Sequence, residues 1–302
     1  MKVLVTGSSG QLAGDLIPAL ERGGHTVVGF DSRAFDITDA DRVGFEAARL
    51  KPGCIINTAA YTKVDLAEKE RERAFAVNRD GARNLARAAA SIGSPLIHIS
   101  TDFVFDGRKA TPYIEEDPTG PLGVYGASKL AGEDEILKTL PEHFIIRTSW
   151  LYGARGNNFV KTILRLAGER DAIRVVYDQA GTPTWTGDLA ASIAAMVDAI
   201  EAGSFDYGIY HYSSEGVASW YDFADAIVDE SRKMGASLRC RTIEPILTSE
   251  YPTPARRPAY SVLDKQKIKK TFGIRIPHWR ASLIKMLEEA DGLVIKARGV
   301  QD

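Results

Sequence analysis

The feature that most constrains the fold is an alternation of strand-like and helix-like segments that begins at the first residue. Lys2 to Thr6 is an apolar run of strand length, and the apolar residues between Leu12 and Leu20 recur at helical spacing. The alternation continues through the first half of the chain, with further strands predicted at 26–31, 54–57, 95–101 and 144–148. Parallel strands need a crossover connection, which is usually a helix. The pattern therefore predicts an α/β fold whose parallel sheet is covered by helices on both faces.

The second half of the chain is less regular and predicts a second, smaller unit. We expect a doubly wound, Rossmann-type dinucleotide-binding domain formed by residues 1–148 and 172–203. A smaller C-terminal α/β substrate domain would comprise residues 149–171 and 204–302. The chain would then pass between the two domains more than once.

Several later elements follow from this division. The strand at 173–177 and the helix at 189–202 are expected to complete the main sheet, whereas the strand at 209–212 falls in the smaller domain. Ser219-Trp220-Tyr221-Asp222 has the form of a capping box and predicts a helix to about Lys233. The chain would finish with a basic helix near 264–272, an amphipathic helix near 279–290 and a mobile tail at 296–302.

Composition and charge disfavour several classes of partner. The 302 residues carry a net charge of −2 without basic blocks, which argues against nucleic acid or an anionic membrane as the main partner. Apolar runs fall far short of the ~20 residues of a membrane helix, and the run from Met1 to Gly7 is too short for a signal peptide. Two cysteines fit a reducing compartment, and the five histidines have no metal-ligand spacing. We expect a cytoplasmic protein without a metal site.

A glycine pattern lies between the first strand and the first helix. Gly7 and Gly10 allow the backbone to turn sharply and to approach a pyrophosphate, whose charge is met by free N–H groups at the helix start. The usual dinucleotide-binding pattern has a third glycine three positions after Gly10, where this chain has Ala13, with Gly14 one residue later. The packing of this helix is therefore expected to differ slightly from that of the usual pattern. The cofactor residues predicted here are Gly7, Ser9, Gly10, Gln11 and Leu12.

The end of the second predicted strand supplies the other cofactor signal. A carboxylate at Asp31 can accept hydrogen bonds from the adenosine ribose hydroxyls and would repel a 2′-phosphate. Arg33 could offset that repulsion, so the pattern favours NADH and leaves NADPH open. Ser32 lies between these two residues, and Asp36 and Ile37 are expected to border the adenine.

Among the eleven tyrosines, Tyr125 is the one with a lysine four positions on. In a helix this spacing places the phenol and the ammonium of Lys129 on one face. A positive charge beside a phenol stabilises the phenolate and lowers the phenol pKa. Tyr125 is therefore a candidate proton donor.

Taken together, the glycine pattern and Tyr125-x-x-x-Lys129 resemble those of the extended short-chain dehydrogenase/reductases. Within that group, finer motifs resemble the dTDP-4-dehydrorhamnose reductases over nearly the whole chain. They are Asn57-Thr58-Ala59-Ala60-Tyr61-Thr62-x-Val64-Asp65, Ser100-Thr101-Asp102-Phe103-Val104-Phe105-Asp106-Gly107, Arg147-Thr148-Ser149-Trp150, Asn158-Phe159-Val160-Lys161 and Arg257-Pro258-x-x-Ser261-x-Leu263-Asp264.

The resemblance implies a catalytic triad of Thr101, Tyr125 and Lys129. The implied reaction is hydride transfer from NADH or NADPH to the C4 carbonyl of dTDP-4-dehydro-L-rhamnose, which gives dTDP-L-rhamnose. Tyr125 would give the proton, and Lys129 would hold the nicotinamide ribose and lower the Tyr125 pKa. Thr101 would hydrogen-bond the substrate oxygen or the phenol.

The resemblance also implies further contacts. Along the cofactor it places Ala59, Ala60, Tyr61, Thr62 and Asn78, together with Tyr125 and Lys129. At the dTDP-sugar it places Thr101, Asp102, Trp150, Asn158 and Arg257. In these roles Trp150 would face the apolar side of the sugar, and Arg257 would meet the diphosphate.

Two departures from the family pattern limit which functions and which dimer can be predicted. Phe103 stands where relatives often have tyrosine, and it also stands where a dehydratase would need a proton-transferring glutamate. Dehydration is therefore disfavoured. Some members dimerise through acidic residues that bind magnesium, and the single Asp15 here is too little to predict that site. Oligomeric state stays open, with a homodimer among the options.

Three alternative functions remain at this stage. One is reduction of another nucleotide 4-keto-6-deoxysugar, and another is 4-epimerisation of a sugar nucleotide with tightly held NAD. The third is a non-catalytic role like that of the methionine adenosyltransferase regulatory subunit, which resembles the same reductases. The intact Thr101, Tyr125 and Lys129 favour an enzyme.

Overall fold

The computed structural model describes residues 1–203 and 206–289. Its centre is a six-stranded, wholly parallel sheet with the strand order β10-β5-β4-β3-β1-β2. These strands are β1 (Lys2–Thr6), β2 (Thr26–Phe30), β3 (Cys54–Asn57), β4 (Leu96–Thr101), β5 (His143–Thr148) and β10 (Gly208–Tyr212). Short strands outside it are β6 (Leu151–Tyr152), β7 (Ala172–Val176), β8 (Ala180–Gly181), β9 (Thr184–Trp185), β11 (Ala218–Ser219) and β12 (Thr242–Ile246).

Helices connect the strands as the sequence pattern predicts. They are α1 (Gln11–Arg22), α2 (Ala40–Leu50), α3 (Val64–Ala67), α4 (Arg71–Phe75), α5 (Gly81–Ile92), α6 (Val124–Thr139), α7 (Phe159–Glu169), α8 (Thr186–Ala202), α9 (Trp220–Lys233), α10 (Gln266–Phe272) and α11 (Trp279–Glu289). The capping box at Ser219 and Asp222 is present, with both reciprocal hydrogen bonds formed. None of the helices in residues 1–203 and 206–289 is long and apolar enough to cross a membrane.

Two apolar layers sandwich the sheet, which confirms the doubly wound α/β fold. On one face, α1 and α8 pack over strand residues such as Val3 and Ile56. On the other face, α2, α5 and α6 pack over residues such as Leu4 and Ile55. Consecutive residues of each inner strand thus point to opposite layers, as the two-residue period of a strand requires.

A third apolar core belongs to a smaller lobe. It joins α7, α9 and α11 around Tyr152, Phe223 and Trp279, all of which are buried. β7 and β12 pair in parallel beside this core. The predicted tail at 296–302 and Ala290 lie outside the described residues.

The placement of two strands predicted from the sequence is wrong. The strand at 172–176 does not join the main sheet, because its register partner is β12 in the smaller lobe. The sixth strand of the main sheet is instead β10, which pairs with β5. The helix α8 does pack on α1 beside the sheet, as expected. The remaining division into domains stays a prediction.

Strand register brings the carboxyl ends of the inner strands to one edge. Thr6 lies beside Asn57, and Thr101 lies beside Thr148. Between β1 and β3 the strand order reverses direction, since β2 lies on one side of β1 and β3 on the other. Ligands of open parallel sheets bind in the crevice at such a switch point. The sheet therefore places a ligand crevice next to Gly7 and Ala59.

Candidate active site

Helix α6 carries the proposed catalytic pair and begins at the carboxyl edge of the sheet. The backbone N–H of Val124, in its first turn, donates to the carboxylate of Glu68 at 2.8 Å, although Glu68 is 56 positions away in the sequence. Two glycines then let the helix approach its neighbours closely. A side chain at Gly126 would collide with the carbonyl of Phe103, and one at Gly132 with the carbonyl of Asn78. The helix is therefore fixed against the loop after β4 and against the segment around Asn78.

The phenol of Tyr125 lies beside Thr101 and Asp102. Burial raises the pKa of Tyr125 to about 12, the hydrogen bond with Thr101 lowers it, and the negative charge of Asp102 raises it. The ring of Phe103 packs edge-on against Tyr125 at 5.6 Å between centroids. Thr101 and Tyr125 thus meet as the sequence predicts.

The direction of the Tyr125 pKa shift corrects the sequence-based expectation. Lys129 was expected to lower this pKa, but the pKa is raised because burial outweighs the hydrogen bond with Thr101, and Lys129 is not among the groups that shift it. The ammonium of Lys129 is directed to β4, where Nζ donates to the carbonyl of Ile99 at 2.6 Å. A phenol with a raised pKa stays protonated at neutral pH, which suits a proton donor.

Asp102 is a buried carboxyl group between Thr101 and Ser261. Thr101 donates to its Oδ1 at 3.0 Å. Burial raises the pKa of Asp102 to about 6, against the opposing effect of hydrogen bonds from Ser261 and Thr101. Its Oδ2 has no hydrogen-bond partner among the described residues. A buried acceptor oxygen next to Thr101 is therefore left unpaired.

Lys129 is almost fully buried, with 2% of its surface exposed. Burial lowers its pKa to about 8, while the charge of Glu133 works in the opposite direction. Nζ lies 3.2 Å from Nε2 of His98, a buried histidine on β4. The sequence analysis did not identify His98, because a lone histidine inside an apolar strand carries no local signal.

Asn78 connects the loop after β3 to helix α6. Its side chain accepts from the backbone N–H of Tyr61 at 2.8 Å and donates to the Tyr61 carbonyl and to Ser128 Oγ. Ser128 in turn donates to the carbonyl of Tyr125. Residues 76–80, which include Asn78, form a π-helical turn. Such turns are often found at functional sites, and this one directs Asn78 into the interior.

The glycine loop has the geometry that a pyrophosphate requires. Gly7 has a φ of 70°, and a Cβ at this position would lie 2.8 Å from the backbone N of Ala59. Among the described residues no side chain caps the start of α1 or places a negative charge in its first turn. The N–H of Gly10 donates to the Gly7 carbonyl at 2.8 Å, whereas the N–H groups in the first turn of α1 have no capping side chain and lie at the positive end of the helix dipole. This loop therefore fits a dinucleotide. Ala13 is buried, and Gly14 leaves room for the side chain of Arg155.

Asp31 lies directly after β2 at the expected ribose position. Its Oδ1 accepts from the backbone N–H groups of Arg33 and Ala34, both at 3.0 Å, which fixes the turn. Asp36 fixes the next turn by accepting from Thr38, and Ile37 is buried against Gly81. Within residues 1–203 and 206–289, no hydrogen bond is formed to the second carboxylate oxygen of Asp31.

We expect Asp31→Asn to shift cofactor preference toward NADPH. The amide keeps the oxygen that accepts from Arg33 and Ala34 but removes the charge that repels a 2′-phosphate. The ratio of kcat/KM for NADPH over NADH should rise about tenfold, the effect of about 1.4 kcal/mol. Asp39→Asn, the same change at the N-cap of α2, is the matched control. An unchanged ratio in Asp31→Asn would show that Asp31 does not read the ribose.

The predicted sugar-binding residues are held by contacts within the protein. Trp150 has a φ of 47°, which is unusual for a bulky residue, and its indole stacks on Trp220 at 3.6 Å between centroids. The backbone of Gly181 also lies against this indole, since a Cβ there would come within 2.6 Å of the ring. Residues with such backbone strain cluster at ligand sites.

Asn158 and Arg257 have different surroundings. Asn158 caps α7 and donates to the side chain of Gln11 at 2.9 Å, which places it near the glycine loop. Arg257 forms a salt bridge of 3.0 Å with Asp65 and remains partly exposed. Neither side chain contacts Thr101 or Tyr125 directly in the described structure, so their roles toward a substrate stay predictions.

Comparisons with known proteins agree with the fold and with the motifs. The chain matches the family model described as RmlD substrate binding domain over residues 1–291. It is 45% identical to a dTDP-4-dehydrorhamnose reductase of Aggregatibacter actinomycetemcomitans, and the match covers 93% of this chain and 97% of that protein.

Two solved structures extend the comparison. A dTDP-4-dehydrorhamnose reductase of Clostridium acetobutylicum has a TM-score of 0.90 and 38% identity, covering 96% of this chain and 100% of that one. The enzyme of the same name from Bacillus anthracis, solved in complex with NADP, has a TM-score of 0.89 and 38% identity, covering 95% and 99% of the two chains.

Proposed function

This chain belongs to the dTDP-4-dehydrorhamnose reductase family, and from that membership we propose that it reduces the C4 carbonyl of dTDP-4-dehydro-L-rhamnose with NADH or NADPH. The product is dTDP-L-rhamnose. The observation that carries the proposal is the hydrogen-bonded pair of Thr101, at the carboxyl end of β4, and Tyr125, on a helix that also supplies Lys129, together with a glycine loop whose following helix has no capping side chain.

The bound nicotinamide supplies the hydride that is added to the carbonyl carbon. Backbone N–H groups of the glycine loop and the start of α1 hold the pyrophosphate, and Asp31 binds the adenosine ribose. Lys129, from the side of α6, holds the nicotinamide ribose. Asn78 keeps the backbone around Tyr61 in place along the cofactor.

Tyr125 donates its phenolic proton to the carbonyl oxygen as negative charge develops there. Its raised pKa keeps that proton in place until the oxygen becomes basic. Thr101 hydrogen-bonds the phenol and orients it. The free oxygen of Asp102 accepts a hydroxyl of the sugar, which places the carbonyl in front of Tyr125.

The test is to supply dTDP-4-dehydro-L-rhamnose with NADH or NADPH and to follow the loss of reduced-nicotinamide absorbance together with the formation of dTDP-L-rhamnose. We expect stoichiometric oxidation of the cofactor and release of the deoxysugar product. A second nucleotide 4-keto-6-deoxysugar with another base serves as the substrate control. Absence of cofactor oxidation, or conversion without net oxidation as in a 4-epimerase, would contradict the proposal.

The alkaline side of the pH profile provides a further prediction. Burial lowers the Lys129 pKa to about 8, so the ammonium is present below this pH and is lost as the pH rises through it. We expect kcat/KM to fall tenfold per pH unit well above about 8, because one proton is lost. The Tyr125 pKa lies near 12 and should not contribute. A flat profile between pH 7 and pH 10 would show that the ammonium is not needed.

A further inference from the structure

A buried chain of hydrogen bonds links the glycine-loop edge to Lys129 through two residues without an assigned role. Asn57 at the end of β3 accepts from the backbone N–H of Ala59 at 3.1 Å and from Thr6 at 2.7 Å. Its Nδ2 lies 2.9 Å from Nδ1 of His98. The other ring nitrogen of His98, Nε2, lies 3.2 Å from Lys129 Nζ. Asn57 and His98 are each 1% exposed.

The orientation of Asn57 is decided by Ala59. A backbone N–H can only donate, so the Asn57 atom that faces Ala59 must be the oxygen. The amide nitrogen of Asn57 then faces His98, and it can only donate as well. Nδ1 of His98 must therefore be the bare, accepting nitrogen.

A neutral histidine has one bare nitrogen and one that carries a proton. His98 is neutral at physiological pH, because burial and then the charge of Lys129 lower its pKa well below the ordinary value. With Nδ1 bare, the proton resides on Nε2, which faces Lys129. An N–H at this distance is accommodated by the lone pair of a neutral amine but opposes an ammonium, which has no acceptor.

We propose that Asn57 fixes His98 as the Nε2–H tautomer, and that His98 is thereby a positioning residue that makes the Lys129 ammonium give up a proton more readily. The amine form of Lys129 satisfies every contact: one N–H donates to the Ile99 carbonyl and the lone pair accepts from His98. The ammonium form satisfies the Ile99 contact and meets His98 donor to donor.

The other groups around Lys129 do not supply this effect. Glu133 on the same helix favours the ammonium, and its carboxylate is already paired with Arg147 of β5. Ile99 accepts from either form of Lys129. On β4, His98 is the titratable group that faces Nζ among the described residues. Whether Lys129 acts in sugar reduction is part of the proposed function, and the kinetic part of the inference rests on it.

The tautomer itself can be observed directly. Ring-nitrogen-labelled histidine in the full chain gives distinct NMR patterns for the two neutral tautomers, and the His98 signal is assigned by its loss in His98→Phe. We expect a protonated Nε2 and a bare Nδ1 in the unsubstituted protein. A protonated Nδ1 would overturn the inference, whatever the activity of the enzyme.

A near-isosteric substitution at Asn57 is expected to reverse the direction of the hydrogen bonds on both sides of His98. In Asn57→Asp the carboxylate still accepts from Ala59 but can only accept from His98, so the ring proton should move to Nδ1 and leave Nε2 to accept from Lys129. We expect the Lys129 titration, followed in lysine labelled with carbon-13 at Cε, to move up by about one pKa unit. The alkaline limb of kcat/KM should move by the same amount.

A double-variant cycle separates the effect of the His98 tautomer on the Lys129 pKa from the effect of the added carboxylate charge. His98→Phe/Asn57→Asp carries the same carboxylate without a ring that can switch. A Lys129 shift that is equal with and without His98 would overturn the inference, and a shift that needs His98 supports it. If the NMR results hold while dTDP-4-dehydro-L-rhamnose is not reduced, the proposed function fails and the tautomer assignment stands.

Discussion

Replacing Tyr125 with phenylalanine is expected to lower kcat by about 10²- to 10⁴-fold, the usual contribution of a positioned general acid. The phenyl ring keeps the edge-on contact with Phe103, so packing should change little. What is lost is the phenolic proton and the hydrogen bond with Thr101. Steady-state oxidation of NADH or NADPH with the dTDP-sugar is the measurement.

The matched control for this substitution is Tyr113→Phe. The Tyr113 hydroxyl is also hydrogen-bonded, to Asp106 at 2.8 Å, and its ring is buried in an apolar cluster of its own with Phe105 and Leu263. Loss of that hydroxyl should change kcat less than about threefold, since the group takes no part in the proton transfer. If Tyr125→Phe retained the turnover of this control, Tyr125 would not be the proton donor.

The second large effect is expected on stability, at the buried ion pair between Glu133 and Arg147. Nη2 of Arg147 lies 2.7 Å from Glu133, and the two side chains are 3% and 1% exposed. Ser100 also donates to Glu133, and the Arg147 guanidinium lies over the ring of Phe105. The pair therefore connects β5 with β4 and α6, the two elements that carry the candidate catalytic residues.

Arg147→Met should lower the free energy of unfolding by about 3 to 5 kcal/mol, because it leaves the Glu133 carboxylate buried without its partner. Urea denaturation followed by circular dichroism measures this loss. Arg165→Met is the control, since the Arg165–Glu169 pair is 60% and 54% exposed and should cost less than about 1 kcal/mol. Equal losses for the two variants would refute the assigned role of the buried pair.

A compensating substitution at Glu133 tests whether the unpaired buried charge causes the loss of stability. Arg147→Met with Glu133→Leu removes both charges from the interior, and replacement of a buried pair by apolar residues is often neutral or stabilising. The double variant should therefore recover most of the stability that the single variant loses. Failure to recover would indicate that packing around Phe105, and not the uncompensated charge, causes the loss.

Local sequence pattern was enough to predict the first five strands of the main sheet. Four of the five are largely buried apolar runs, and β2, at the sheet edge, is half-buried but rich in β-branched residues. The sixth strand was assigned wrongly because 173–177 and 209–212 are both short runs rich in β-branched and aromatic residues. A strand pattern in the sequence does not indicate which strand will be its partner. Here tertiary packing places the segment at 209–212 beside β5.

The site shows the same limit. The Tyr125 and Lys129 spacing and the glycine loop are local in sequence, so they were predicted correctly as features. Thr101 entered through family resemblance, and the structure places it beside Tyr125. Glu68 and His98 were missed because their contacts join residues 56 and 31 positions apart. The predicted direction of the Tyr125 pKa shift was wrong because burial, which is set by the whole fold, dominates the shift, and Lys129, which is directed to Ile99, does not contribute to it.

The repeated passage of the chain between the two lobes has a consequence for the cooperativity of unfolding. After β5 the chain contributes α7 and β7 to the smaller lobe, returns with α8 and β10 to the main sheet, and then adds α9 and β12 to the smaller lobe. It comes back once more with α10 and ends the described part with α11 in the smaller lobe. Each return ties an edge of one lobe to the folding of the other. No single cut would separate two complete units, so the lobes should melt together in one transition rather than as independently stable modules.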